Sequence, residues 1–162
     1  MKIKSIIFSL IFSLIFIMLL RSFFISNYII IGHSMEPTYH DGDRVLVNQF
    51  IDIVIEPQID DVYFFKLNEN ETMVKRIIAT PGDYIKISKN TLYINGKKSR
   101  YSDSSMQLLL DDKMRKYRTV PQDCYLVLGD NIDDSTDSRT YGCISRNQML
   151  GKVIYTYWQN KK

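Results

Sequence analysis

Three short segments hold side chains able to do chemistry. The first is Gly32-His33-Ser34-Met35-Glu36-Pro37-Thr38, followed by Asp41-Gly42-Asp43. Gly and Pro bend a chain and Asp-Gly turns it, so a plain strand-to-turn corner would account for the string. The same corner would also present Ser34 as an exposed nucleophile, with Gly32 permitting close approach of a substrate. A serine needs a base. Only two histidines exist, His33 and His40. In extended backbone neighbouring side chains point to opposite faces, so the His33 ring turns away from Ser34. His40 follows a Pro-bearing turn. A Ser-His-Asp triad is therefore the weaker arrangement, although triads are recognised by geometry rather than by order.

The second segment, Met73-Val74-Lys75-Arg76-Ile77-Ile78, offers the other base. A lysine with its ordinary pKa of about 10.4 cannot take a serine proton, and burial is what brings it into range. Lys75 has the most apolar setting of any lysine outside the N-terminal segment. Most strand lysines point to solvent, and Arg76 alternates to the opposite face. If both faces are covered, one of the pair must point inward. Lysine sheds its proton at lower cost than arginine, so Lys75 is the inward candidate.

The third segment is Gly129-Asp130-Asn131-Ile132-Asp133-Asp134-Ser135-Thr136-Asp137-Ser138-Arg139. Its acid density invites a calcium loop. Such a loop starting at Asp130 needs Gly at position six and Glu at twelve. Ser135 and Tyr141 stand there, so that reading is rejected and no metal site is expected. A polar loop is one alternative. A rigid support, with hydroxyls and an Asp137–Arg139 pair holding a site in place, is the other.

These segments need elements to hold them. From Arg44 to Trp158 the chain shows short alternating runs with turn punctuation, which predicts a mainly β domain. Strands are expected at Arg44–Gln49, Val62–Leu67, Thr72–Thr80, Tyr84–Ser88, Thr91–Ile94, Tyr125–Leu128 and Lys152–Trp158. Pro81-Gly82 predicts a type II turn and Asn95-Gly96 a hairpin. One helix is expected, over Ser104–Lys116.

Ahead of this domain, Ile6–Leu20 reads IIFSLIFSLIFIMLL, interrupted only by Ser9 and Ser13. With its flanks it covers roughly 20 positions of bilayer. A cleaved signal peptide would show a small-x-small site after the apolar run, yet Arg21, Phe23 and Phe24 stand there. The expectation is an uncleaved anchor over 1–26 and one outer domain over 27–162. Lys2 and Lys4 place the start in the cytoplasm by the positive-inside rule. Arg21 would then snorkel at the outer headgroups.

The 162 residues hold 21 bases and 18 acids, a formal +3, with mean hydropathy of -0.16. Up to Ile31 there is no acid, and the bases are Lys2, Lys4 and Arg21. Everything beyond is formally neutral. The basic balance belongs to the N-terminal segment, so nucleic-acid binding has no support. Cys124 and Cys143 would lie outside the cytoplasm, where a disulfide is allowed. Pairing and two buried thiols both remain open.

Together the three segments resemble the bacterial type I signal peptidases, membrane-anchored Ser/Lys endopeptidases. The family's S-M-x-P-T appears as Ser34–Thr38. Its K-R followed by P-G-D appears as Lys75-Arg76 and Pro81-Gly82-Asp83. Its G-D-N…S-x-D-S-R appears as Gly129-Asp130-Asn131 with Ser135, Asp137, Ser138 and Arg139. The resemblance implies Ser34 as acylated nucleophile and Lys75 as general base, with no cofactor. Ser135 would orient the lysine amine, and Asp137 and Arg139 would form a supporting ion pair. Where many relatives carry a serine, this chain has Gly32, as in the family's shorter G-x-S-M form. The oxyanion would then rely on backbone N–H groups, Ser34's among them.

The resemblance further implies exported preproteins as substrates, cut after small residues at -1 and -3. Ile30 and Ile31 before the serine, and Met73 and Val74 before the lysine, would line shallow substrate pockets by strand addition. Membrane lipid and an upstream translocon would be the other partners, in the plasma membrane. Two other readings stand beside this one. The self-cleaving repressor type of Ser/Lys protease lacks the anchor and the Gly129–Arg139 segment. A non-catalytic peptidase-like protein of envelope or pilus assembly would be expected to lose the serine or the lysine.

Overall fold

In the computed structural model the N-terminal apolar run is helix α1 (Lys2–Phe24). The structure describes residues 2–102, 104–109 and 118–160. Large apolar side chains lie on all sides of α1, and each one from Ile3 to Leu19 is more than half exposed. The described side chains of its apolar run stop at Leu19. Among the described residues no helix is long and apolar enough to cross a membrane.

Strand β1 (Ile25–Ile29) follows α1 without a break. The other strands are β2 (Arg44–Asn48), β3 (Val62–Lys66), β4 (Thr72–Ala79), β5 (Ile85–Ser88), β6 (Thr91–Ile94), β7 (Lys97–Ser102), β8 (Cys124–Leu128), β9 (Ile144–Ser145) and β10 (Met149–Trp158). Two four-residue helices, α2 (Ile51–Val54) and α3 (Ser138–Tyr141), sit between them. A seven-stranded sheet runs β1-β2-β10-β3-β4-β8-β9, and β5-β6-β7 form a small second sheet. The domain is mainly β, as its alternation predicts.

β4 lies near the middle of the large sheet, between β3 and β8, and both of its faces are covered. Val74 packs on one face with Ile30, Met35, Val45, Val47 and Phe64. Ile77 packs on the other with Tyr63, Phe65, Tyr125 and Val127. A third apolar cluster joins Ile78, Leu126 and Leu128 to Leu92 and Ile94 of the small sheet.

The turns behave as their residues require. Gly82 takes φ 86°, and Asn95 and Gly96 take φ 50° and 78° between β6 and β7. Positive φ is where a hairpin of type I′ needs Asn-Gly. The expected helix over Ser104–Lys116 is a 3₁₀ turn over Ser104–Leu109, and its remainder lies outside the described residues. β1, β7 and β9 were not expected. Cys124 and Cys143 are joined by a disulfide, with Cα atoms 5.2 Å apart.

Candidate active site

The turn that carries Ser34 joins β1 to β2. Glu36 N donates to His33 O at 3.1 Å and Tyr39 N to Met35 O at 3.0 Å, closing two turns in succession. Met35 is fully buried in the apolar cluster beneath. Burial of such a side chain contributes about 1.5–3 kcal/mol, which pins the turn and leaves Ser34 at the surface of a cleft. From the far side, Asn131 N donates to Ser34 O at 3.0 Å and Asn131 Nδ2 to His33 O at 3.2 Å. Gly32 takes φ +84°, and a Cβ there would meet nothing within 4 Å. Backbone conformation is therefore what favours glycine at that position.

Lys75 reaches the same point from β4. It shares a face with Met73 and Ile77, and Tyr63 is its register partner on β3. Its Nζ lies 2.6 Å from Ser34 Oγ. The residue is only 4% exposed. Burial is the largest influence on its pKa and lowers it to about 8; the attraction of Asp137 works in the opposite direction, and Arg139 adds to the lowering. Asp134 and Asp130 also pull upward. Desolvation wins because none of these carboxylates contacts the amine directly.

The third segment supplies the wall behind this pair. Asp137 is fully buried, with Arg139 Nε 2.9 Å from Oδ1 and Nη2 2.9 Å from Oδ2, a two-point ion pair. Its Oδ2 also accepts from Gly129 N at 3.1 Å and from Ser135 Oγ at 2.8 Å. Arg139 extends the network to Ser105 Oγ (2.8 Å) and to the carbonyls of Ile132 and Ser135. The expectation for Ser135 was a bond to the lysine amine; its hydroxyl proton goes to Asp137. A Cβ on Gly129 would fall 2.3 Å from Ser135 Oγ and 2.5 Å from Ser34 O. Only glycine lets β8 bring these two serines together.

An open cleft of about 340 Å³ lies over Ser34 and Lys75, with Ile31, Met73, Thr136 and Tyr141 among its walls. The four residues expected to line it separate into two pairs. Ile31 and Met73 face the cleft, with Ile31 83% exposed. Ile30 and Val74 turn into the core, 1% and 6% exposed, because neighbouring strand residues alternate faces.

Among the described residues neither histidine ring hydrogen-bonds to Ser34. The His33 side chain is 61% exposed and its Nδ1 lies 2.9 Å from Glu36 Oε1; that bond holds its pKa above the ordinary histidine value. Among the described residues no group of three His, Cys, Asp or Glu side chains is placed to hold a metal.

Asp130 is a site residue that motif reading left without a role. Its carboxylate takes Arg76 Nε at 2.8 Å, Arg76 Nη2 at 2.6 Å, Arg100 Nη2 at 2.7 Å and the Thr38 hydroxyl at 2.5 Å. It thus ties β4, β7 and the Ser34 turn together. Its position between Gly129 and Asn131 was the available signal.

The sequence pattern of the family described as "Signal peptidase, peptidase S26" matches residues 3–158. The signal peptidase I of Bacillus caldolyticus is 38% identical over 154 residues, covering 88% of this chain and 85% of that one. Signal peptidase IB of Staphylococcus aureus (strain Mu50 / ATCC 700699) is 35% identical over 157 residues, covering 88% and 82%. A crystal structure of a signal peptidase I from Enterococcus faecalis V583 aligns with TM-score 0.49 at 28% identity, over 62% of this chain and 99% of that one. With the family pattern spanning nearly the whole chain and relatives this similar along most of their length, the chain belongs to the signal peptidases, peptidase S26.

Proposed function

We propose that this chain is a type I signal peptidase, a serine endopeptidase that removes signal peptides from exported preproteins through a Ser34 acyl-enzyme with Lys75 as general base. The observation that carries the reading is the 2.6 Å approach of a buried lysine amine to a partly buried serine hydroxyl. While charged, Nζ donates to Oγ. Once neutral, its lone pair accepts the hydroxyl proton.

The steps balance with no further reactant than water. Lys75 takes the Oγ proton, and Oγ adds to the carbonyl carbon of the scissile peptide. The oxyanion is held by backbone N–H groups, including that of Ser34. On collapse the peptide C–N bond breaks, and the ammonium of Lys75 returns the proton to the departing amine of the mature chain. Lys75 then takes a proton from water, which attacks the ester. The signal peptide leaves as a carboxylate and the Ser34 hydroxyl is restored.

The supporting residues follow from the same chemistry. The Ser135 hydroxyl gives its proton to Asp137, so its oxygen keeps a lone pair to orient the lysine amine. The Asp137–Arg139 pair fixes Ser135. Residues beside Ile31 and Met73 receive the small side chains at -3 and -1, and the extended substrate lies along the chain before Ser34 and β4. The apolar run Ile6–Leu20 and the exposed large apolar side chains along α1 are what support an anchor. We assign α1 as a single-pass anchor with its start in the cytoplasm and the β domain outside, where preproteins emerge from the translocon.

The test is cleavage of a preprotein by purified full-length enzyme in detergent. Ser34→Ala and Lys75→Ala are each expected to abolish turnover with the fold retained. Full activity in Lys75→Ala would sink the assignment. His33→Ala with His40→Ala is expected to retain near-normal turnover.

A further inference from the structure

The disulfide lies outside everything the reaction needs, yet it closes a ring around half of the site. The chain from Cys124 to Cys143 contains β8, the Gly129–Asp137 loop and α3. That ring supplies the Gly129 backbone between the two serines, the Asn131 bonds to the Ser34 turn, and Asp137 with Arg139. It also supplies Thr136 and Tyr141 on the cleft wall. Ser34 and Lys75 both come from outside it.

At the ring's exit Tyr141 N and Gly142 N bond back to Asp137 O and Ser138 O, and the residues after Gly142 have fewer ties. Tyr141 ends α3, Gly142 follows with φ 71°, and Cys143 comes next. β9 then pairs with β8 at two positions only, Cys124↔Ser145 and Tyr125↔Ile144. Two ladder pairs at the edge of a sheet are easily frayed. Val127 N to Ser138 Oγ ties the start of α3 to β8, and Gly129 N to Asp137 Oδ2 ties the loop to the end of that strand. Beyond α3 the short β9 ladder and the disulfide carry the tie to β8. Cys124 is buried at the base of β8, while Cys143 is half-buried and within reach of a small reductant.

We propose that Cys124 and Cys143 are positioning residues: their disulfide clasps the 124–143 ring against β8, holds Ser135, Asp137 and Tyr141 in register with the Ser34–Lys75 pair, and makes the enzyme sensitive to reduction. The inference rests on the Ser34–Lys75 reading above. A dithiol such as dithiothreitol would supply two electrons and two protons; the S–S bond breaks, two thiols form, and the reductant leaves as its cyclic disulfide. The loosened ring then shifts the site by a fraction of an ångström to an ångström, and misplacement on that scale costs up to about a hundred-fold in rate.

The experiment uses the full-length enzyme in detergent, oxidised and after dithiothreitol, with a thiol reagent counting free cysteines. The chain holds two cysteines, so the count reports this bond alone. Reduction is expected to lower kcat for preprotein cleavage by about ten- to a hundred-fold and to be reversed by reoxidation. It is also expected to move the midpoint of the kcat/KM pH profile upward from near 8, as water reaches Lys75. Cys124→Ala/Cys143→Ser should reproduce both effects and lose its response to dithiothreitol. If that variant does not fold, the reduced wild-type enzyme decides. Two thiols titrated with kcat and midpoint unchanged would overturn the proposal, even if the melting temperature fell. An oxidised enzyme that cleaves no preprotein would instead overturn the functional reading.

Discussion

Lys75 and Arg76 are consecutive cations on one strand, and they have opposite fates. Arg76 faces Asp130 and makes a two-point ion pair, which raises its pKa and fixes it as a permanent charge. Lys75 turns to the other face, where the nearest partner is a neutral hydroxyl and burial lowers its pKa to about 8. Sheet alternation puts one charge in contact with a carboxylate and the other in contact with a hydroxyl, one residue apart. Arg76 meets a carboxylate; Lys75, proposed above as the base, meets a neutral hydroxyl.

That contrast can be broken from either side. The largest effect is expected for Lys75→Arg, which keeps a cation beside Ser34 and removes the ability to lose a proton. Turnover should fall by roughly 10⁴-fold or more, by analogy with loss of a triad member, measured as preprotein cleavage. Asp130→Ala attacks the other face. It leaves Arg76 without its carboxylate and frees Arg100 and Thr38, for a stability loss of about 2–4 kcal/mol, read from denaturant unfolding. Arg100 is half-exposed and adds little to that figure.

A third change sharpens the contrast by stabilising an inactive protein. A lysine held near 8 against about 10.4 when unfolded favours folding as pH rises through that window. Below pH 8 both states carry the proton, and the full cost of burying the charge is present. Lys75→Met should therefore raise stability at pH 7 by roughly 1–3 kcal/mol, and the gain should shrink as pH approaches 10. The smallest effect is expected for Arg76→Lys, which keeps the charge and loses the two-point geometry. About 1 kcal/mol of stability should go, with cleavage nearly intact.

The parts of the site legible in the sequence are those set by local chemistry. Gly, Pro and Asp-Gly mark the Ser34 turn. A lysine inside an apolar strand can be read as buried without knowing what lies opposite. What escaped depends on tertiary placement. Ile30 and Val74 are expected at the cleft from their places beside the Ser34 and Lys75 segments, yet alternation turns them into the core. β1 is not marked in the sequence, since pairing with β2 leaves no periodic pattern in Ile-Ser-Asn-Tyr-Ile, and the expected boundary between anchor and domain at 26 falls inside it. β7 hides behind Lys97-Lys98-Ser99-Arg100, although Asn95-Gly96 called for a partner strand. Asp130 gathers ligands from three distant segments, and no spacing rule finds those. Cys124 and Cys143 gave two equal readings until β8 and β9 brought them together.

The central claim is that a buried, deprotonated Lys75 takes the Ser34 proton, and its most direct test is the pH dependence of kcat/KM for preprotein cleavage by the oxidised, full-length enzyme. This profile reports groups of the free enzyme. An ascending limb with its midpoint near 8 is expected, unchanged in the His33→Ala/His40→Ala variant. A limb near 6.5 that disappears when the histidines are removed, or a midpoint at the ordinary lysine value, would contradict it.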